Sequence, residues 1–174
     1  PRYHYHFKDE CVPDLQGKLL ELARLAKDYG IGLTMDAEEA DRLMISLDIF
    51  DAVARDPSLK DWDGLGLAVQ AYQKRALPLI EHLIERSKEI KRKTCIRLVK
   101  GAYWDSEVKW SQLNNHPDYP VFTRKVNTDL SYFTCAQKML QAREAITPML
   151  ATHNAHTICS VLDFIGKDKS GFAF

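Results

Sequence analysis

Along this chain the spacing of apolar residues alternates between a helical period and a period of two. From Asp14 to Tyr29, Leu15, Leu19, Leu22, Ala23, Leu25 and Ala26 recur at helical spacing, with Asp14 placed to cap the start and Gly30 to close the end. Residues 31–36 then set Ile31, Leu33 and Met35 against Gly32, Thr34 and Asp36, which predicts a short strand ending on a carboxylate. A second helix is predicted from Glu38 to Arg55, stopped by Asp56-Pro57, and a second strand from Leu65 to Gln70. The third helix runs from about Tyr72 to Lys91, with Pro78 early enough for the first turn to tolerate it, and the third strand begins at Cys95. Beyond it come a helix from Asp105 to about Leu113, a polar loop, and a longer helix from about Thr123 to Arg143. Thr147 to Thr152 makes a fourth strand, a helix follows to near Gly166, and Gly171 to Phe174 reads as the opening of a fifth strand. The first eleven residues, aromatic and without a period, read as a loop.

Alternating strands and helices joined by short loops argue for parallel strands, either in an open doubly wound sheet or in a barrel. Both architectures bind ligands at the C-terminal ends of their strands. Asp36, Gln70, Arg97 with Lys100, and Thr152 with His153 and Asn154 all fall at or just past such ends. Gly32, Gly66 and Ala68 are expected to leave room on the inner face for a large planar ligand. No G-x-G-x-x-G or Walker pattern follows a strand, so the expected fold is α/β, a partial (β/α)8 barrel with about five parallel strands and intervening helices.

The stretch from Cys95 to Asp105, C-I-R-L-V-K-G-A-Y-W-D, organises the rest. Ile96 and Leu98 share one face of a strand, and Cys95, Arg97 and Val99 the other. An arginine buried among β-formers needs a partner or an anionic ligand, because desolvation costs several kcal/mol per ion. Gly101 lets a backbone or a ligand approach closely, and Tyr103 and Trp104 offer flat apolar surfaces beside it. The stretch reads as a ligand platform at a strand end.

Composition narrows the function without naming it. At 174 residues with zero formal net charge, the chain has a sizeable core and no overall field to attract nucleic acid or an anionic membrane. No apolar run approaches the roughly 20 residues that span a bilayer. Cys11, Cys95, Cys135 and Cys159 lie far apart without zinc-type spacing, and are expected to be reduced thiols in a cytosolic compartment. His4 with His6, and His153 with His156, lack a third ligand for a metal, so no metal site is expected. Lys100 leaves a Schiff-base lyase of the barrel aldolase type open as an alternative, and a non-catalytic structural fragment is a second.

Five motifs in order, D-A-E-E-A-D-R, V-Q-A-Y-Q-K-R, R-L-V-K-G-A-Y-W-D, Y-P-V-F-T-R-K and A-T-H-N-A-H, closely resemble the proline dehydrogenase domain of the bifunctional bacterial flavoenzyme proline utilization A. The similarity runs along nearly the whole chain. It implies an FAD-bearing barrel that oxidises L-proline to Δ1-pyrroline-5-carboxylate by hydride transfer to flavin N5 and passes electrons to a membrane quinone. It also implies a cytoplasmic parent, peripheral at the inner face of the cell membrane, with no nucleic-acid partner for this segment. The whole of residues 1–174 would be barrel. The first strand, with a lysine for the substrate carboxylate, would precede Pro1, and the closing strands with their paired arginines would follow Phe174. Negligible catalysis is then expected of the 174-residue chain alone.

Carried over by position, the resemblance puts Arg97 beside the flavin ring, Gln70 on its polar edge, and Asp36 in partnership with Arg97. Val99, Lys100, Gly101 and Ala102 would line the cofactor, with Trp104 against it and Tyr103 near the substrate. Thr123, Arg124 and Lys125 would reach its pyrophosphate and adenosine end, and Thr152, His153 and Asn154 its ribityl and phosphate region. Arg97, Asp36 and Tyr103 are the residues expected to act in catalysis.

Overall fold

A computed structural model describes residues 5–174. Strands β1 (Leu33–Met35), β2 (Leu65–Gln70), β3 (Thr94–Val99) and β4 (Ile146–Leu150) form one sheet in the order β1-β2-β3-β4, every pair parallel. Each strand lies beside the next in the chain. That winding has none of the reversal that marks a doubly wound sheet and is the arrangement of a barrel segment. The connections carry helices α2 (Leu43–Ala54), α3 (Ala76–Ile90), α4 (Trp104–Leu113) and α5 (Lys125–Gln141). α1 (Lys8–Asp28) precedes the sheet, and α6 (Ala155–Ile165) follows it.

Side-chain alternation decides which face the helices cover. Ile96 and Leu98 of β3, with Ile146 and Leu150 of β4, are fully shielded and share a core with Leu65, Leu67 and Val69 of β2. Leu79, Ile80, Leu83 and Ile84 of α3 close that core, together with Tyr132, Cys135, Ala136 and Met139 of α5. Burying each large aliphatic side chain is worth about 1.5–3 kcal/mol, so this layer fixes the sheet and its register. Cys95, Arg97 and Val99 point the other way and are only partly covered. Register sets Arg97 beside Ala68, and Val99 beside Gln70.

Several boundaries differ from the sequence reading. The expected N-terminal loop is a helix from Lys8 onward, with a 3-10 turn at Tyr5–Phe7 before it, and residues 1–4, including His4, lie outside the described residues. Asp14 therefore sits inside α1 rather than capping it, and Pro13, in the second turn, lacks the N–H that would have donated to the carbonyl four residues back. α1 buries Ala23 and Ala26 but leaves Leu22 and Leu25 more than half exposed. β1 is shorter than expected, and α2 starts at Leu43 after a 3-10 turn at Ala40–Arg42.

The start of α3 is delayed to Ala76 because the backbone before it is used elsewhere. Phe122 N–H donates to Tyr72 O at 2.8 Å, Lys74 N–H donates to Pro120 O at 3.0 Å, and Gln73 and Val121 form an antiparallel bridge. A Lys74–Asp118 ion pair at 2.6 Å reinforces this strap. Of the fifth strand, a single parallel bridge remains: Ala173 donates to Pro148 O at 3.0 Å and accepts from Leu150 N–H at 2.8 Å. The strand count is therefore four, not about five.

Candidate active site

The C-terminal ends of all four strands open onto one cleft of about 550 Å³. Asp36 and Ala37 follow β1, Gln70 ends β2, and Arg97, Val99 and the run from Lys100 to Tyr103 come from β3 and its exit. Ala151, Thr152, His153 and Asn154 follow β4, and Lys125 enters from the start of α5. Polar groups separated by over a hundred positions in the sequence thus meet on one rim.

Arg97 and Asp36 face each other there, with Nη2 donating to Oδ1 at 2.7 Å. The pair is more open than the sequence suggested. The Arg97 side chain is 36% exposed and that of Asp36 is 79% exposed, because Asp36 lies in the loop beyond the short β1. Such a pair adds at most about 1 kcal/mol of stability and acts mainly to orient the guanidinium. Arg97 Nε is different: it is shielded from solvent and has no hydrogen-bond partner. A shielded guanidinium N–H aimed at no protein acceptor fits a ligand that brings its own acceptor.

Gln70, 4% exposed, spans two walls of the cleft. Its Nε2 donates to Glu38 O at 2.9 Å in the loop after β1, and its Oε1 accepts from Ala102 N–H at 2.9 Å in the loop after β3. One amide proton and one lone pair remain for a ligand. Gly101 has φ +148°, and a Cβ there would lie 2.4 Å from Cγ of the buried Tyr72, so the loop can pass only without a side chain.

A second charge cluster adjoins the cleft through Lys100 and Lys125. Lys100 Nζ donates to Asp129 Oδ1 and Lys125 Nζ to Asp129 Oδ2, both at 2.6 Å, and Lys100 also lies 5.9 Å from the centre of the Tyr132 ring. Hydrogen bonds from Lys100 and Lys125 hold the Asp129 carboxyl below the usual carboxylate range. Burial, followed by the carboxylates of Glu38, Glu39 and Asp36, pushes the Tyr103 phenol up. It therefore stays a neutral O–H donor at neutral pH. The sequence reading missed Asp129. Its spacing of four from Lys125 was the available signal.

Not every expected residue reaches the cleft. Trp104, Thr123 and Arg124 are absent from its lining, and Trp104 Nε1 donates to Phe122 O at 3.0 Å instead, bracing the strap. Asn154 caps α6 by accepting from Thr157 N–H at 2.9 Å, and Thr152 Oγ1 accepts from Asn154 N–H at 3.1 Å, so both shape the turn as well as the wall. The room expected over Gly32, Gly66 and Ala68 is not part of the cleft. A Cβ on Gly66 would meet Cys95 Cβ at 2.8 Å and Thr34 Oγ1 at 3.0 Å, and one on Gly32 would meet Gly64 O at 3.4 Å. Neighbouring strands already fill that volume, and the open space lies beyond the strand tips.

Parallel strands wound in one direction, with a polar cleft at their C-terminal tips, define a barrel-type α/β protein with its binding site on the rim. The chain belongs to the proline dehydrogenase family, whose profile matches residues 3–174. It is 46% identical over 168 residues to the bifunctional protein PutA of Salmonella typhimurium, covering 97% of this chain and 13% of that protein. The PutA of Rhizobium meliloti is 44% identical over the same length. A crystal structure of a Bradyrhizobium japonicum PutA mutant superposes with a TM-score of 0.96 at 49% identity, over 99% of this chain and 18% of that one. PutA from Bdellovibrio bacteriovorus, inactivated by N-propargylglycine, gives 0.86 at 29% identity, over 90% of this chain and 16% of that one. The chain spans about an eighth of the length of the curated relatives it matches.

Proposed function

We propose that this chain forms the flavin-binding wall of a proline dehydrogenase barrel within a larger bifunctional enzyme that oxidises L-proline to Δ1-pyrroline-5-carboxylate. The family match and the identity to PutA proteins support the reaction. The observation that carries the assignment to this cleft is Arg97, oriented by Asp36 through Nη2 and left with a shielded, unpartnered Nε. When bound, FAD supplies an acceptor at N5 for the hydride from the proline carbon next to nitrogen, and passes the electrons on to a membrane quinone.

The chain's own residues then have separate tasks. Arg97 places fixed positive charge beside the ring, where preorganised groups of this kind are worth about 3 kcal/mol. Asp36 keeps the guanidinium in place, and Gln70 offers its remaining amide valences at the polar edge. Val99, Gly101 and Ala102 form the floor, and Tyr103 presents its neutral phenol toward the substrate. Lys100 and Lys125, tied by Asp129, and His153 with Thr152 and Asn154 furnish the polar walls for the ribityl and phosphate groups. Trp104, Thr123 and Arg124 are left beside the strap and contribute through the placement of Lys125.

The lyase reading has less support. Lys100 Nζ is engaged by the Asp129 carboxylate at 2.6 Å, whereas a Schiff-base lysine needs its nitrogen directed at a substrate carbonyl. Among the described residues no helix is long and apolar enough to cross a membrane. A cytoplasmic enzyme meeting its quinone from the inner face of the membrane is the location we propose. The test is spectroscopic and kinetic. The full-length enzyme carrying this sequence is expected to be yellow and to reduce a dye when given L-proline. A colourless enzyme that neither takes up FAD nor reduces dye with proline would overturn the reading.

A further inference from the structure

The loop that presents Asp36 is held by three side chains from elsewhere in the chain, the buried Gln70 and Glu107 and the partly buried Arg75. Gln70 donates to Glu38 O at 2.9 Å, Arg75 donates to Ala40 O, and Glu107 of α4 accepts from Ala40 N–H at 2.5 Å. Glu107 is 5% exposed, the most deeply buried acid among the described residues. Its surroundings are not obviously welcoming. Burial and the carboxylates of Asp41 and Glu39 oppose its charge, while the Ala40 N–H and Arg75 favour it, and the Tyr72 ring lies nearby. A buried carboxylate in such company persists where it makes a hydrogen bond that nothing else supplies.

That hydrogen bond joins two catalytic walls. Glu107 sits in the first turn of α4, and its own N–H donates to Tyr103 O at 2.9 Å. One side chain therefore ties the turn carrying Tyr103 to the loop carrying Asp36. We infer that Glu107 is a positioning residue of this site: by clamping Ala40 it fixes the Asp36 loop and so sets where Asp36 meets Arg97. The inference rests on the flavin and proline reading above.

The experiment uses the full-length enzyme, with FAD affinity of the apoenzyme measured by flavin fluorescence and proline-dependent dye reduction measured in parallel. Glu107→Ala is expected to lower both by about 10-fold, the scale of one lost buried, charge-assisted hydrogen bond. Glu107→Gln, which keeps an acceptor for Ala40 N–H, is expected to restore most of the loss. In an Asp36→Ala background, Glu107→Ala should add less than about 2-fold, since its effect passes through Asp36. If Glu107→Ala unfolds the enzyme, Ala40→Pro removes the donor at the first position of a 3-10 turn, where proline is tolerated, and should reproduce the loss. Losses that multiply fully in the double variant, no rescue by glutamine, or an Ala40→Pro enzyme with unchanged affinity and turnover would each overturn the inference. In all these cases the wild-type enzyme still binds FAD and oxidises proline, so failure of the functional reading would be recognised separately.

Discussion

The two faces of β3 contrast in what they do. Ile96 and Leu98 are fully shielded against α3 and α5, whereas Arg97 and Val99, one position away, are partly open toward the cleft. One strand of six residues thus supplies both the stability of the sheet and the chemistry of the rim, separated only by the period of two. The difference teaches that stability and binding in this region are separable by side-chain parity.

Three substitutions test that separation. Leu98→Ala, on the shielded face, should lower the unfolding free energy by about 2–5 kcal/mol in denaturant titrations. A loss no larger than that of Val99→Ala would break the contrast. Arg97→Met should show the opposite pattern. Flavin affinity and the rate of reduction by proline should fall by the equivalent of about 3 kcal/mol, while unfolding changes by less than about 1 kcal/mol, since its ion pair is exposed. Stopped-flow reduction and equilibrium unfolding on the same protein give both numbers.

The smallest effect belongs to Asp129→Asn, the carboxylate that ties Lys100 to Lys125. Its carboxyl titrates below the ordinary value of 3.8 in the folded state, so the stability it contributes is present above that value and is lost as pH falls through the lower, folded one. The group is partly exposed, which limits the contribution to under about 1 kcal/mol. Wild type and variant should therefore differ slightly near neutral pH and coincide in strong acid. A difference that persisted unchanged into acid would remove the two lysines as its source.

What the sequence made legible follows from how local each signal was. The alternation in β2 and β3 and the polar residues at four strand tips were visible because strand parity needs only neighbouring positions. The strap between Tyr72 and Phe122, and the clamp between Ala40 and Glu107, were not, because each joins backbone or side-chain groups dozens of residues apart. The start of α1 is hidden in the sequence for a different reason. Pro13 and a mixed aromatic and polar face hide the helical period, and the face that packs is the small one, Ala23 and Ala26. The exposure of the Arg97–Asp36 pair was also beyond reach, since it depends on how early β1 ends.

Gln70 has a consequence for how this rim can change. Its amide is the strut between the loops after β1 and β3, so the width of the mouth is governed from a buried position at the tip of an inner strand. Other residues lining the cleft could be exchanged without removing that strut. Admitting a bulkier ring would instead require a different side-chain length at position 70, a site whose own contacts are almost entirely with the backbone of its neighbours.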